Sequence, residues 1–447
     1  MENQMVSERA APGASLRRIV PPTDAVTVLT LFFVVLFVIP SDRRIGPLGG
    51  AGSLATLFGL GGLLWWCWHQ VRHSDEMENR GVQWVRIAAF CFVGAVLASY
   101  AKSALTSLPQ TDASVADMGI LRVAALLGVL LVANDGIPSQ ERFMTLIRRL
   151  SMVAGLYASL GLLQFFTGLS IVDSFQLPGL TATGASGIDG RAGFVRSEAT
   201  AMHPLEYATV LAMTLPFCLT LAIYDRKRSA FIRWYPVAVI TFSSVLSVTR
   251  SALIGVAAVF VVLFPTWPSG IRKGVAVMMG LGLVIVYFAV PGMAGTIIGM
   301  FSGNDTSVSS RTGSYDTVLK FAEISPFVGR GFGTFLPSYR ILDNQYLVSL
   351  IEIGIVGLAS FLLLVGCSII LALVARRHYK QQVIRGMGMA LVASMVAGGL
   401  LSAFYDCFAF PQACNLIFLM AGLCGAYMNI RRVPQDLRTT RKLTVKP

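Results

Sequence analysis

Twelve apolar runs divide this chain of 447 residues, and they restrict its fold more than any other feature. They cover residues 25–40, 49–68, 87–101, 120–133, 150–166, 203–224, 235–249, 251–265, 274–293, 346–375, 387–404 and 413–429. A helix needs roughly 20 apolar residues to cross the hydrocarbon core of a bilayer. Within that core each backbone donor and acceptor must be satisfied inside its own segment, and the alternation of a membrane barrel is absent here. The runs therefore predict an all-α polytopic membrane protein with about 12 transmembrane helices. Composition agrees, with 55% hydrophobic and only 13% charged residues.

An even number of spans places both termini on one side, and the basic residues say which. With the N-terminus inside, 25 of the 36 lysines and arginines fall in cytoplasmic segments, so the positive-inside rule gives an N-in, C-in topology. Residues 1–24 then form a cytoplasmic N-terminal tail, 25–429 a single transmembrane domain, and 430–447 a basic cytoplasmic C-terminal tail. Two long extracytoplasmic loops, 167–202 and 294–345, belong to the membrane domain. The net charge of +13 is accounted for by topology and attraction to anionic membrane lipids. No basic face with interleaved aromatics marks a nucleic-acid partner.

Basic residues predicted to lie outside need a different reason. Seven of those eleven gather in three places: the loop before residue 203, the turn at Arg250, and the polar stretch 309–346. Only 32 residues separate Trp234 from Trp267, too few for two full spans of about 20 residues each, and Arg250 is at their midpoint. The hairpin must be short or tilted, which holds the guanidinium near or below headgroup level, where an unpartnered charge is costly. Upstream, Arg191 and Arg196 precede a helix start at His203–Pro204 with Glu206 one turn in, an arrangement suited to an anion or a sugar, or to a plain helix start. In 309–346, Arg311 leads an amphipathic segment over 315–321 that predicts a short surface helix lidding a cavity. Arg330 lies in a GRGFG turn whose glycines allow close backbone approach to a ligand, and Arg340, Asp343 and Asn344 follow it.

Arginine's planar fork binds phosphate oxygens bidentately and keeps its charge, so this one-sided cluster suits a diphosphate at the outer leaflet, such as a polyprenyl diphosphate. The pattern requires no cofactor and no metal. His69 and His73 stand four residues apart without a third ligand, and of the seven cysteines only Cys407 and Cys414 are placed to pair.

The run SSRTG…SPFVGRGFGTF…DNQYLVSLIEIGIVGLASFLLL resembles the C-terminal signature of the O-antigen ligase and O-antigen polymerase family. RSEATAMHPLEYA and SVTRSALIGV resemble its two earlier arginine motifs, and the similarity runs over roughly residues 25–427. The resemblance implies a GT-C-like helical fold in the bacterial plasma membrane, active on the extracytoplasmic side. It implies transfer of a glycan from undecaprenyl diphosphate to an acceptor hydroxyl, inverting and metal-independent, in the biosynthesis of cell-surface polysaccharide. It places Arg196 and Arg250 on the lipid diphosphate and Arg311 in the external-loop motif. Many members carry a histidine as general base ahead of the Asn-x-x-Leu motif, and here Asp343 stands before Asn344.

Asp343 is thus either the base or the N-cap of the tenth span, and Glu352 or Glu206 is placed to share the chemistry. Expected catalytic residues are Asp343, Arg250 and Arg311. Expected substrate-binding residues are Arg191, Arg196, His203, Glu206, Arg330, Arg340, Asn344 and Glu352. The partners implied are a polyprenyl-diphosphate-linked glycan donor, a glycan or lipid acceptor, and other polysaccharide-export proteins. Polymerase and ligase are both open. The rival from another class is a transporter or flippase of lipid-linked sugars without chemistry, which tends to carry inverted repeats and polar groups at the bilayer midplane.

Overall fold

A computed structural model describes residues 24–46, 52–72, 82–106, 109–169, 178–182, 190–191, 194–247, 249–289 and 315–432. Nine helices come first: α1 (Ala25–Val38), α2 (Leu54–Arg72), α3 (Trp84–Leu105), α4 (Gln110–Gly136), α5 (Gln140–Thr167), α6 (Pro204–Tyr224), α7 (Ala230–Leu246), α8 (Arg250–Leu263) and α9 (Ser269–Ala289). A surface helix α10 (Tyr315–Ile324) and a short α11 (Gln345–Glu352) precede α12 (Gly354–Arg376), α13 (Gln382–Leu401) and α14 (Pro411–Arg432).

Seven of these are long and apolar enough to cross a membrane, and shorter apolar helices cover Ala25–Val38, Ala230–Leu246 and Arg250–Thr266. This is an integral membrane protein. Leu64, Val71, Val261 and Ile370 point outward, as lipid solvation requires.

The helices are not equivalent. In α6 and α14, 89% of the most apolar stretch is buried inside the protein, against 33% in α12, so α6 and α14 form the centre and α12 a lipid-facing wall. Lipid tails are as apolar as leucine, so helices in lipid gain little from hydrophobicity alone and associate through close packing. Gly59 and Gly128 show the consequence: a Cβ on Gly128 would stand 2.1 Å from the Gly59 carbonyl oxygen, and α2 and α4 pack backbone to backbone there. At Gly255, α8 meets Ala212 of α6 and Leu401 of α13, where a Cβ would approach within 2.8 and 2.9 Å.

Two departures from the sequence expectation bear on the site. Short β-ribbons supplement the helices: β1 (Arg43–Ile45) pairs antiparallel with β2 (Leu180–Ala182), and β3 (Gly190–Arg191) with β4 (Phe194–Val195). They lie in connections outside the apolar runs, where backbone groups pair with one another instead of within a helix. The tenth run, read as one span over 346–375, is broken between α11 and α12 at Gly354, whose φ is +66°. The free N–H groups at the start of α12 donate instead to the upstream loop, Ile355 to the Pro326 carbonyl at 2.8 Å and Val356 to that of Phe327 at 3.1 Å.

Candidate functional site

The loop linking α10 to α11 wraps the α11–α12 break. Arg330 N–H donates to the Ile351 carbonyl at 3.1 Å and Gly331 N–H to that of Glu352 at 2.9 Å. A Cβ on Gly329 would lie 2.2 Å from the Glu352 carbonyl oxygen, and one on Gly354 would lie 2.3 Å from that of Phe327. Gly329 of the GRGFG turn, expected to approach a ligand, therefore approaches this chain's own helix junction, while Gly333 lies against Val115 of α4. Loop and junction form one rigid unit, with α10 docked on it through Val318, Phe335, Leu342, Val348 and Ile351.

Arg330 belongs to that unit. Its Nη2 donates to Asp112 Oδ2 of α4 at 2.7 Å, its guanidinium lies over the Tyr339 ring at 4.8 Å and the Phe321 ring at 5.4 Å, and Asp112 is 1% exposed. Tyr339 Oη also donates to Asp112 Oδ2, at 2.8 Å. Expected on a substrate phosphate, Arg330 instead anchors the loop to α4, because a buried aspartate demands a cation.

Asn344, not Asp343, caps α11: its Oδ1 accepts from Tyr346 N–H at 2.9 Å and Leu347 N–H at 3.3 Å. That removes capping as the reason for the carboxylate at position 343. Asp343 and Arg340 are both partly exposed just ahead of this cap. Glu352, at the other end of α11, is buried, and its Oε1 accepts from Phe335 N–H at 3.1 Å. Burial first, then the neighbouring charge of Asp406, push the Glu352 carboxyl up to about 8, while the Gly333 and Phe335 amides and Arg122 pull the other way. Asp406, in the connection before α14, is raised by burial to about 6, against Arg122 and the Ala409 and Phe408 amides.

His203 caps α6, its Nδ1 accepting from Leu205 N–H at 3.1 Å, and its ring packs on Phe410 with centroids 5.8 Å apart. Glu206 is fully buried: Oε2 accepts from Ser41 Oγ at 2.9 Å and Met202 N–H at 3.0 Å, and Oε1 from Gln412 N–H at 2.6 Å. Gln412 in turn accepts from Tyr157 Oη and donates to the Leu36 carbonyl and Thr200 Oγ1. This network ties α1, α5, α6 and α14 together at one end of the bundle. Both residues, expected on the substrate, hold helix ends.

Arg250 occupies the first position of α8 after a three-residue connection from α7. At 1.5 Å per residue α7 and α8 are only about 26 and 21 Å long, short of the roughly 30 Å hydrocarbon core. The hairpin is thus short, and Arg250 is partly buried at its apex. Arg196 is partly buried just after β4, and Arg191 lies on β3 opposite Phe194. Arg311 lies outside the described residues.

Several polar residues at this end were not singled out from sequence. Gln345 is fully buried and binds Ser349, the Phe408 amide and Cys407. Arg122 on α4 donates to the Phe408 carbonyl, and Arg122 and Arg44 line one cleft. Cys407 and Cys414, placed to pair, are both free thiols. In the sequence, Arg44 and Arg122 are two of the eleven basic residues that the N-in topology puts outside.

Compared with known proteins, no curated protein matches the chain. Residues 235–362 match the family model described as O-antigen ligase. The matched segment runs from α7 into α12 and takes in the Arg250 hairpin and the loop–junction unit, while Arg191, Arg196, His203 and Glu206 precede it.

Proposed function

With residues 235–362 assigned to the O-antigen ligase family, we propose that the protein is a membrane glycosyltransferase that polymerises a polyprenyl-diphosphate-linked glycan or transfers it to an acceptor hydroxyl, at the extracytoplasmic face of the bacterial inner membrane. The observation that carries this reading is that the segment matching the family holds both a partly buried arginine at the tip of a short hairpin and a partly exposed carboxylate that does not cap the helix after it.

In the proposed reaction the acceptor hydroxyl oxygen attacks the anomeric carbon of the donor sugar as the bond to the diphosphate oxygen breaks. The bonding pair leaves with the diphosphate, whose growing charge Arg250, Arg196 and Arg311 stabilise. Asp343 takes the hydroxyl proton as general base. A single displacement inverts the anomeric configuration, and arginine charge takes the place of a metal. Glu206 and Glu352 act as positioning residues, since backbone amides already occupy their oxygens. Arg330 and Asn344 shape the loop that presents Asp343 and Arg340.

The test is reconstitution of purified protein with a lipid-linked oligosaccharide and no other enzyme. Polymerase activity yields a ladder of longer lipid-linked products, and ligase activity yields product only when a separate acceptor is added. An Asp343→Asn variant that inserts normally and keeps full turnover would remove the carboxylate from the mechanism.

A further inference from the structure

A second basic site lies apart from the Arg250 hairpin. Arg44 on β1 and Arg122 on α4 line one cleft together with Ser53, Thr56, Cys414 and Asn415, enclosing about 410 Å³ of empty space including its open mouth. α2, α4 and α14 wall it, whereas α8 packs on α6, α7 and α13.

Two guanidinium groups facing one partly buried cleft repel each other unless an anion lies between them. Burial first, and then the charge of Arg122, hold Arg44 below the ordinary arginine range, with Asp42 acting in the opposite direction. Asp42 pairs with Arg43 at 3.7 Å. Arg44 Nε is buried without a hydrogen-bond partner among the described residues. Arg122 gives one Nη2 proton to the Phe408 carbonyl, a small part of the five donors a guanidinium carries. Asp406 and Glu352 act on Arg122 through charge, and neither forms a salt bridge with it among the described residues. In the same cleft Asn415 Oδ1 is a buried acceptor with no donor among the described residues, and the Ser53 and Thr56 hydroxyls lie 2.7 Å apart.

We propose that this cleft is an anion site that takes a phosphate group bearing a hydroxyl, supplied either by the headgroup of a membrane lipid or by free phosphate. The two arginines bind the phosphate oxygens and Asn415 Oδ1 accepts from the hydroxyl. The proposal does not depend on the glycosyl-transfer reading, and its test measures binding, not transfer.

Full-length protein is titrated with inorganic phosphate in detergent and followed by phosphorus NMR. In parallel it is placed in nanodiscs of phosphatidylglycerol or of phosphatidylcholine, and retained lipid is counted by native mass spectrometry. Saturable phosphate binding, weakened at least tenfold by Arg44→Gln and by Arg122→Gln but not by the exposed control Arg226→Gln, identifies free phosphate as the source. Retention of phosphatidylglycerol alone, lost in the same two variants, identifies the headgroup. Should the glutamine variants fail to insert, Arg44→Lys and Arg122→Lys keep the charge without the bidentate fork, and the same weakening is read in them. No saturable binding of either probe, or binding that none of these substitutions weakens, overturns the proposal.

Discussion

The two ends of the helix bundle treat their arginines differently. At the end predicted to face the cytoplasm, arginines meet aspartates pair by pair: Arg142 with Asp24 at 2.5 Å, Arg148 with Asp225 at 2.6 Å, and Arg86 with Asp135 at 3.3 Å. At the opposite end the buried carboxylates are held chiefly by amides and hydroxyls. Glu206 takes Ser41, Met202 and Gln412, and Glu352 takes Phe335. Arg330 with Asp112, which fastens a loop, and the longer Arg43–Asp42 pair at 3.7 Å are exceptions among the described residues. Glu206 and Glu352 form no salt bridge with an arginine among the described residues; their oxygens are occupied by hydroxyl and amide donors. One end uses ion pairs as joints, and the other joins its helices chiefly through amides and hydroxyls, with the proposed binding arginines among them.

Substitutions that exchange these roles test the contrast. Arg250→Ala should give the largest effect, a fall in transfer rate of roughly 100-fold or more with normal insertion, as for loss of one donor to developing transition-state charge. Arg148→Ala should lower thermal stability and leave the turnover of folded protein unchanged. Equal loss of turnover in both would end the distinction between the two ends.

Asp112→Asn strands Arg330 beside a neutral partner. Breaking a buried pair costs about 3 kcal/mol, and we expect a destabilisation of that order on thermal melting. Retained turnover per folded molecule is the accompanying check that Arg330 serves as a joint and not as a ligand for substrate.

A smaller effect separates the amide-held carboxylates from the arginine-held ones. The folded pKa of Glu352, about 8, lies above its ordinary value of 4.5. The stability this group contributes is therefore fully present below pH 4.5 and is lost as pH rises through about 8. Glu352→Gln should flatten the fall in melting temperature across that window. A wild-type profile already flat there would contradict the burial argument. Smallest of all, Asn344→Ala should cost about 1 kcal/mol on thermal melting through loss of the α11 cap, with Asp343→Ala leaving stability unchanged.

Several of these assignments were within reach of the sequence and others were not. The shortness of the Arg250 hairpin follows from counting residues between Trp234 and Trp267, and α10 follows from the spacing of Tyr315, Val318, Leu319 and Phe321. Asp112 and Arg330 are 218 residues apart, and nothing local to either predicts their meeting. The break at Gly354 is hidden because the residues around it are apolar and suit a continuous span; its φ of +66° and the Phe327 carbonyl, 2.3 Å from where a Cβ would stand, are visible only in the folded chain.

By itself the sequence determined the solvent of the chain and the segments that become apolar helices, since apolar length acts within one segment. That Arg330 fastens a loop to α4 was decided by tertiary structure. Glu206, Glu352 and Arg330 read alike as polar residues near a site. Burial and the partners brought from α1, α4 and α14 made them joints, because a buried charge must take whatever donor or counter-ion the fold delivers to it.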